Sequence, residues 1–157
     1  MSDDEYSAFA ARSIDDFSAD LAHADSLPLE IVRRQTVELF ANLLPQGRAT
    51  PGHRFESVVA DGRVVGQLWL GPDSQQSDRA FVYDIQIDET DRGRGFGRDA
   101  MLAAEDLARQ DGLTAIGLSV FGFNTGALKL YGSLGYEVVA TSMLKKLDES
   151  HLDSEAS

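Results

Sequence analysis

The seven residues Arg92-Gly93-Arg94-Gly95-Phe96-Gly97-Arg98 decide how this chain folds. They stand between a stretch with strand character, Arg79 to Ile87, and one with helical periodicity, Phe96 to Gln110. In the second stretch Phe96, Ala100, Ala103, Ala104, Leu107 and Ala108 recur mostly at three- and four-residue steps. Glycines at a strand-to-helix turn let the backbone come close to a ligand without steric penalty. The unpaired amides of the helix's first turn then form a ready site for an anion. Arg92, Arg94 and Arg98 concentrate positive charge in a chain whose net charge is −12. The expected element is a diphosphate cradle; by glycine spacing alone, a plain turn with solvated arginines fits equally well. A P-loop needs Gly-Lys-Ser or Gly-Lys-Thr after four spacer residues, and none is present. A dinucleotide fingerprint needs other glycine spacing and an acid ending the next strand, which here ends Ser119-Val120-Phe121-Gly122.

Upstream of this turn, Arg54 to Ala60 and Val64 to Leu70 flank Asp61-Gly62, a strong two-residue hairpin signal. Before them, the chain reads as two helices. One carries Tyr6, Phe9, Ala10, Ile14, Phe17 and Leu21; the other starts near Pro28 and runs through Val32 and Phe40 to Leu44. Downstream, Leu113 to Phe121 reads as a strand, Asn124 to Leu134 as a short helix closed by Gly135, and Tyr136 to Leu147 as a last strand or strand pair. The expected order is α-α-β-β-β-α-β-α-β, a meander followed by a β-α-β unit. That order fits a mixed sheet with helices packed on it and not a fully parallel, doubly wound one. Residues 1–48 are expected to form a helical segment of the same domain as the core at 49–147, and 148–157 a frayed acidic tail.

Composition narrows the function. The chain has no cysteine, which excludes a disulfide framework, a thiolate zinc site and a cysteine nucleophile. Its three histidines are scattered, so no metal is expected. An acidic chain of pI near 4.5 disfavours nucleic acid and anionic membrane surfaces and is compatible with a cationic small molecule. The start, Met1-Ser2-Asp3-Asp4-Glu5, carries no apolar targeting segment, so the expected compartment is the cytoplasm.

A second motif lies downstream: Asn124, then Ala127, then Leu130-Tyr131-Gly132-Ser133-Leu134-Gly135-Tyr136. With it the chain resembles the GNAT superfamily of acyl-CoA N-acyltransferases. The family's Arg/Gln-x-x-Gly-x-Gly/Ala signature is matched by Arg92, Gly95 and Gly97. Its Asn-x-x-Ala-x-x-Leu-Tyr-x-x-Leu-Gly-Phe/Tyr run is matched by Asn124, Ala127, Leu130, Tyr131, Leu134, Gly135 and Tyr136. The resemblance spans roughly Arg54 to Leu147. It implies an α/β fold of the α+β kind: a mixed, mostly antiparallel sheet with flanking helices and a splayed strand pair.

The resemblance also implies a chemistry: an amine attacks the thioester of acetyl-CoA directly. The pyrophosphate would sit on the backbone amides of Arg94 to Gly97, within the cofactor-binding turn Arg92, Gly93, Arg94, Gly95, Phe96, Gly97 and Arg98 that Arg92 begins. The pantetheine arm would run beside Asp84-Ile85-Gln86-Ile87, in the gap left where that strand splays from Leu118–Val120. Tyr131 is the expected general acid; by periodicity alone it reads as a core tyrosine on the apolar face of the short helix. Asn124 either caps the short helix or bonds the CoA arm. Some family members carry a glutamate before this Asn, where this chain has Ser119. Asp84 is then the carboxylate left to act as base, unless it pairs with an arginine such as Arg79 or caps local backbone. Strict alternation would put Tyr83 and Asp84 on opposite faces of the sheet. His53 and Trp69 are further acceptor-site candidates. The implied acceptor is a primary amine, with a cationic one favoured by the acidic balance. The alternative is a domain that binds acyl-CoA as a sensor or assembly module with little turnover. Dimers are frequent in the family, so a homodimer is compatible with it.

Overall fold

The computed structural model describes residues 1–147; the acidic tail at 148–157 lies outside the described residues. Helix α1 (Asp3–Asp25) starts at a capping box, in which Ser2 accepts from the Glu5 amide and Glu5 accepts from the Ser2 amide. Its last turn closes on Ser26 in the left-handed region (φ 53°). Helix α2 (Leu29–Leu43) follows, with Pro28 just before it. Strands β1 (Arg54–Ala60), β2 (Arg63–Pro72) and β3 (Arg79–Ile87) form the meander. Asp61 (φ 51°) and Gly62 (φ 73°) both take positive φ in the β1–β2 turn, the geometry that an Asp-Gly hairpin demands. Helix α3 (Phe96–Gln110), strand β4 (Ala115–Leu118) and helix α4 (Thr125–Ser133) complete the order.

The sheet runs β1-β2-β3-β4, antiparallel except for the parallel β3–β4 pair. Helices α1 and α2 cover one face. There Phe9, Leu44, Phe55 and Trp69 are buried together, with Tyr6, Phe40 and Tyr83 packed around them. Helix α3 covers the other, where Met101, Ala104 and Ala108 meet Leu68, Leu70, Ala80 and Val82. Tyr131 and Leu134 of α4 pack at the margin of this second cluster. Each large side chain so buried contributes about 1.5–3 kcal/mol.

Two expectations are corrected. Strict alternation along β3 fails at Tyr83. Trp69 pairs with Asp84 and Leu70 with Val82, which leaves Tyr83 as the extra residue of a bulge. Tyr83 stacks on Trp69 at 4.6 Å on the α1/α2 face, and Asp84 bonds to Ser13 of α1 on that same face. The second correction concerns Tyr136 to Leu147, which form no strand. A strand pattern needs a partner ladder, and none meets this segment among the described residues. Val138, Val139, Met143 and Leu147 stand in solvent, the least exposed of them at 76%.

Candidate active site

The bulge opens the groove. β4 pairs with β3 only from Arg79↔Ala115 to Val82↔Leu118. The extra residue lies immediately beyond that last pair, where a bulge bends and twists its strand. From Asp84 to Ile87, β3 continues without a β4 partner. β4, expected to reach Phe121, stops at Leu118 for the same reason.

At one end of this gap is the glycine turn. Gly93 (φ 75°) and Gly95 (φ 86°) occupy the left-handed region, and a Cβ at either would meet no atom within 4 Å. Gly95 precedes α3 and offers no capping side chain. The first intrahelical bond is from the Asp99 amide to the Gly95 carbonyl, at 3.1 Å. The amides of Phe96, Gly97 and Arg98 therefore have no protein partner among the described residues. Gly97 faces Leu130 of α4 and Ile87 of β3, so three elements converge there.

The turn's arginines are tied rather than loose. Arg92 Nε donates to the Ile87 carbonyl at 3.1 Å, and Arg98 donates to Ser133 Oγ of α4 at 3.1 Å. Arg94 pairs with Asp91 at 3.3 Å and lies over the Phe96 ring. Asp91 is buried and takes two further bonds from Arg63, at 2.6 and 3.0 Å. These Arg63 bonds hold its carboxyl below the usual carboxylate range. The sequence reading missed Asp91 and Arg63. Only the acid directly before the arginine-glycine run hinted at the first of them.

At the other end stand Asp84 and Tyr131. Burial pushes the Asp84 carboxyl up, against the hydrogen bonds of Ser13 and Gln86 that favour its charge. No arginine pairs with it, so the Arg79 alternative falls. Burial, and then the Asp84 charge, push the Tyr131 phenol up. It therefore keeps its proton at neutral pH. The neighbouring Tyr136 phenol is pushed up to about 12, chiefly by burial. Asn124 caps α4, accepting from the Ala127 amide at 3.2 Å. His53 Nδ1 accepts from Trp69 Nε1 at 2.9 Å, and burial holds the imidazole below its usual pKa. His53 and Trp69 are thus neutral packing partners in the α1/α2 cluster, with Trp69 directly across the ladder from Asp84.

A wall completes the groove on the α1 side. Phe17 approaches Phe121 at 6.0 Å, and Phe121 stacks on Phe123 at 5.4 Å. Ser13 and Phe17 are one turn apart, so they share a face of α1. Asp16 and Asp20 flank them, and burial raises the Asp20 carboxyl. Among the described residues, no group of three or more His, Cys, Asp or Glu could hold a metal ion, and no helix is long and apolar enough to cross a membrane.

The Acetyltransferase (GNAT) family model matches residues 19–136. The chain belongs to the GNAT family. It is 29% identical over 149 residues to the Bacillus subtilis protein YycN, described as an uncharacterized N-acetyltransferase, covering 94% of this chain and 96% of that one. The crystal structure of YycN superposes with a TM-score of 0.87 over 95% of this chain and 96% of its own. Streptothricin acetyltransferase of Streptomyces lavendulae is 31% identical over 91 residues, 58% of this chain and 48% of its own. GNAT acetyltransferases are acyltransferases that draw on acetyl-CoA, and the mixed, mostly antiparallel sheet here is their fold.

Proposed function

We propose that this chain transfers an acetyl group from acetyl-CoA to a cationic primary amine by direct attack. The observation that carries the reading is the proximity of a half-buried carboxylate, Asp84, to the protonated Tyr131 beside the gap between β3 and β4. The residues present fit the cosubstrate. Unpaired amides at Phe96 to Arg98 suit its diphosphate, and the open space at Gly93 and Gly95 lets the backbone reach it. The free edge of Asp84 to Ile87 suits an extended amide-bearing arm. Bound there, acetyl-CoA supplies the activated acyl group.

The chain's own residues then divide the work. Asp84 takes the proton that an alkylammonium must lose before its lone pair can attack, directly or through one water. A backbone amide at the splayed strands steadies the developing oxyanion, worth about 3 kcal/mol when well placed. Tyr131 presents its O–H to the departing sulfur, and such acid help is worth about 10²–10⁴ in rate. Asp16, Asp20 and the rings of Phe17 and Phe121 support a cationic acceptor, since carboxylates and aromatic faces both attract an ammonium. With no membrane-spanning helix among the described residues, the cytoplasm is the proposed compartment.

The test is thiol release from acetyl-CoA across cationic, neutral and acidic amines, with Tyr131→Phe as the control. The expected result is turnover of cationic amines, cut about 10²–10⁴-fold by the substitution, with acetyl-CoA binding kept. Binding reads out independently. Saturation at a hundredfold over Kd adds about 2.7 kcal/mol, a Tm rise of roughly 5–10 °C at this size. Binding with no release from any amine would favour the sensor reading, which the serine at position 119 motivates.

A further inference from the structure

Ser13 sits on α1, far in sequence from the groove and ahead of residues 19–136, which the family model matches. It is buried to 3% exposure, yet it stands on the helix's apolar stripe, four residues after Phe9 and four before Phe17. Its hydroxyl donates to Asp84 Oδ2. Gln86 Nε2 donates to the same oxygen at 2.7 Å and to Ser13 Oγ at 3.3 Å. Both side-chain donors fall on Oδ2. Among the described residues no side chain donates to Oδ1.

The Gln86 amide is fixed in this sense, because a flip would set its oxygen against a carboxylate oxygen. Its Oε1 is consequently buried with no partner. A buried acceptor without a donor is a standing cost. The fold bears that cost while keeping Oδ2 of a half-buried carboxylate clamped and Oδ1 without a side-chain donor, the Ile85 amide also favouring the charge.

We infer that Ser13, with Gln86, is a positioning residue for the proton acceptor: the two clamp Oδ2 of Asp84 so that Oδ1 faces the incoming amine. This rests on the proposed role of Asp84 as base. It makes α1 part of the catalytic apparatus rather than a cover. Two other titratable groups bear on Asp84: Asp16 of α1, whose charge raises it, and Tyr131 of α4. β2 faces it with Trp69, which does not titrate.

The experiment is the pH profile of kcat/KM for one cationic amine, measured for wild type, Ser13→Ala, Ser13→Thr, Gln86→Leu and Asp84→Asn. The Ser13 bond favours the charged carboxylate, so its loss raises the Asp84 pKa. The acidic limb should therefore move to higher pH in Ser13→Ala. kcat should fall about tenfold or more, as expected when a hydrogen bond to a charged group is lost. Ser13→Thr should restore both, and Gln86→Leu should move the limb the same way. The acceptor's own titration is common to all variants and cannot produce a shift. If Asp84→Asn is inactive while Ser13→Ala and Gln86→Leu keep the wild-type limb, the positioning role is overturned and the base survives. If Asp84→Asn keeps wild-type activity, the base reading itself falls, and the clamp with it.

Discussion

The two faces of the sheet are built on different terms. Against α3, the fully buried side chains are apolar: Leu68, Leu70, Ala80 and Val82 meet Met101, Ala104 and Ala108, with the Glu105 and Tyr136 oxygens buried at the margin. Against α1 and α2, apolar packing is interrupted by polar groups. Ser13 and Thr36 are buried, His53 bonds Trp69, and Asp84 and Gln86 turn toward α1. Polar groups removed from water cost free energy unless they are paired. The first face reads chiefly as scaffold, with Tyr131 at its margin, and the second bears a cost that the proposed role of Asp84 would account for.

That contrast predicts opposite signs for single substitutions. Met101 has no exposed surface, and its replacement by Ala leaves a cavity under β2 and β3. The expected loss is about 2–5 kcal/mol, or roughly 4–20 °C in Tm at 2–4 °C per kcal/mol. Calorimetry reads it, and turnover per folded molecule should be little changed. A loss below about 0.5 kcal/mol would mean that the α3 face is not the scaffold described here.

Asp84→Asn should go the other way, by a smaller amount. Burial raises the Asp84 pKa above its unfolded value, so the folded chain releases this proton less readily than the unfolded one. Ionisation therefore disfavours folding above the folded pKa, and the penalty vanishes below the unfolded pKa. Asn removes the charge and can still accept from Ser13 and Gln86. At neutral pH the variant should melt higher than wild type, and the advantage should fade as pH falls through the carboxylate range. A lower Tm at pH 7 would show that the Asp84 charge is compensated in the fold.

The same contrast explains what could be read in the residues. The α3 face was legible, because Phe96 to Gln110 repeats at helical period and the strands opposite are apolar. The Asp-Gly turn and the glycine turn were legible, because positive φ selects glycine and a few small polar residues. The bulge at Tyr83 left no mark: it arises from how β2 and β3 pair, and local alternation carries no information about a skipped partner. It changes the site most, since it puts Asp84 on the α1 side and ends the β4 pairing. Ser13 left a weak mark, a polar residue on an apolar stripe, that means something only once Asp84 is seen opposite. The strand expected at Tyr136 to Leu147 failed for the complementary reason. Its pattern suits a strand, but a strand is a property of a pair.

The smallest effect separates scaffold from chemistry at one residue. Asn124 accepts from the Ala127 amide and so satisfies one of the free donors that begin α4. Its side-chain Nδ2 has no protein partner among the described residues and remains able to donate to a CoA arm. Asn124→Ala removes both capacities, whereas Asn124→Asp keeps the cap and replaces the donor with an acceptor. If Asn124 is purely a cap, Ala should lower stability by about 0.5–2 kcal/mol, Asp should not, and KM for acetyl-CoA should stay at wild type in Asp. If Asn124 also holds the arm, KM should rise in both variants while stability falls only in Ala. Tyr131 lies two turns along the same short helix, so fraying from a lost cap would also loosen the phenol. A kcat loss in Ala without one in Asp would therefore trace to the helix start and not to contact with the cosubstrate.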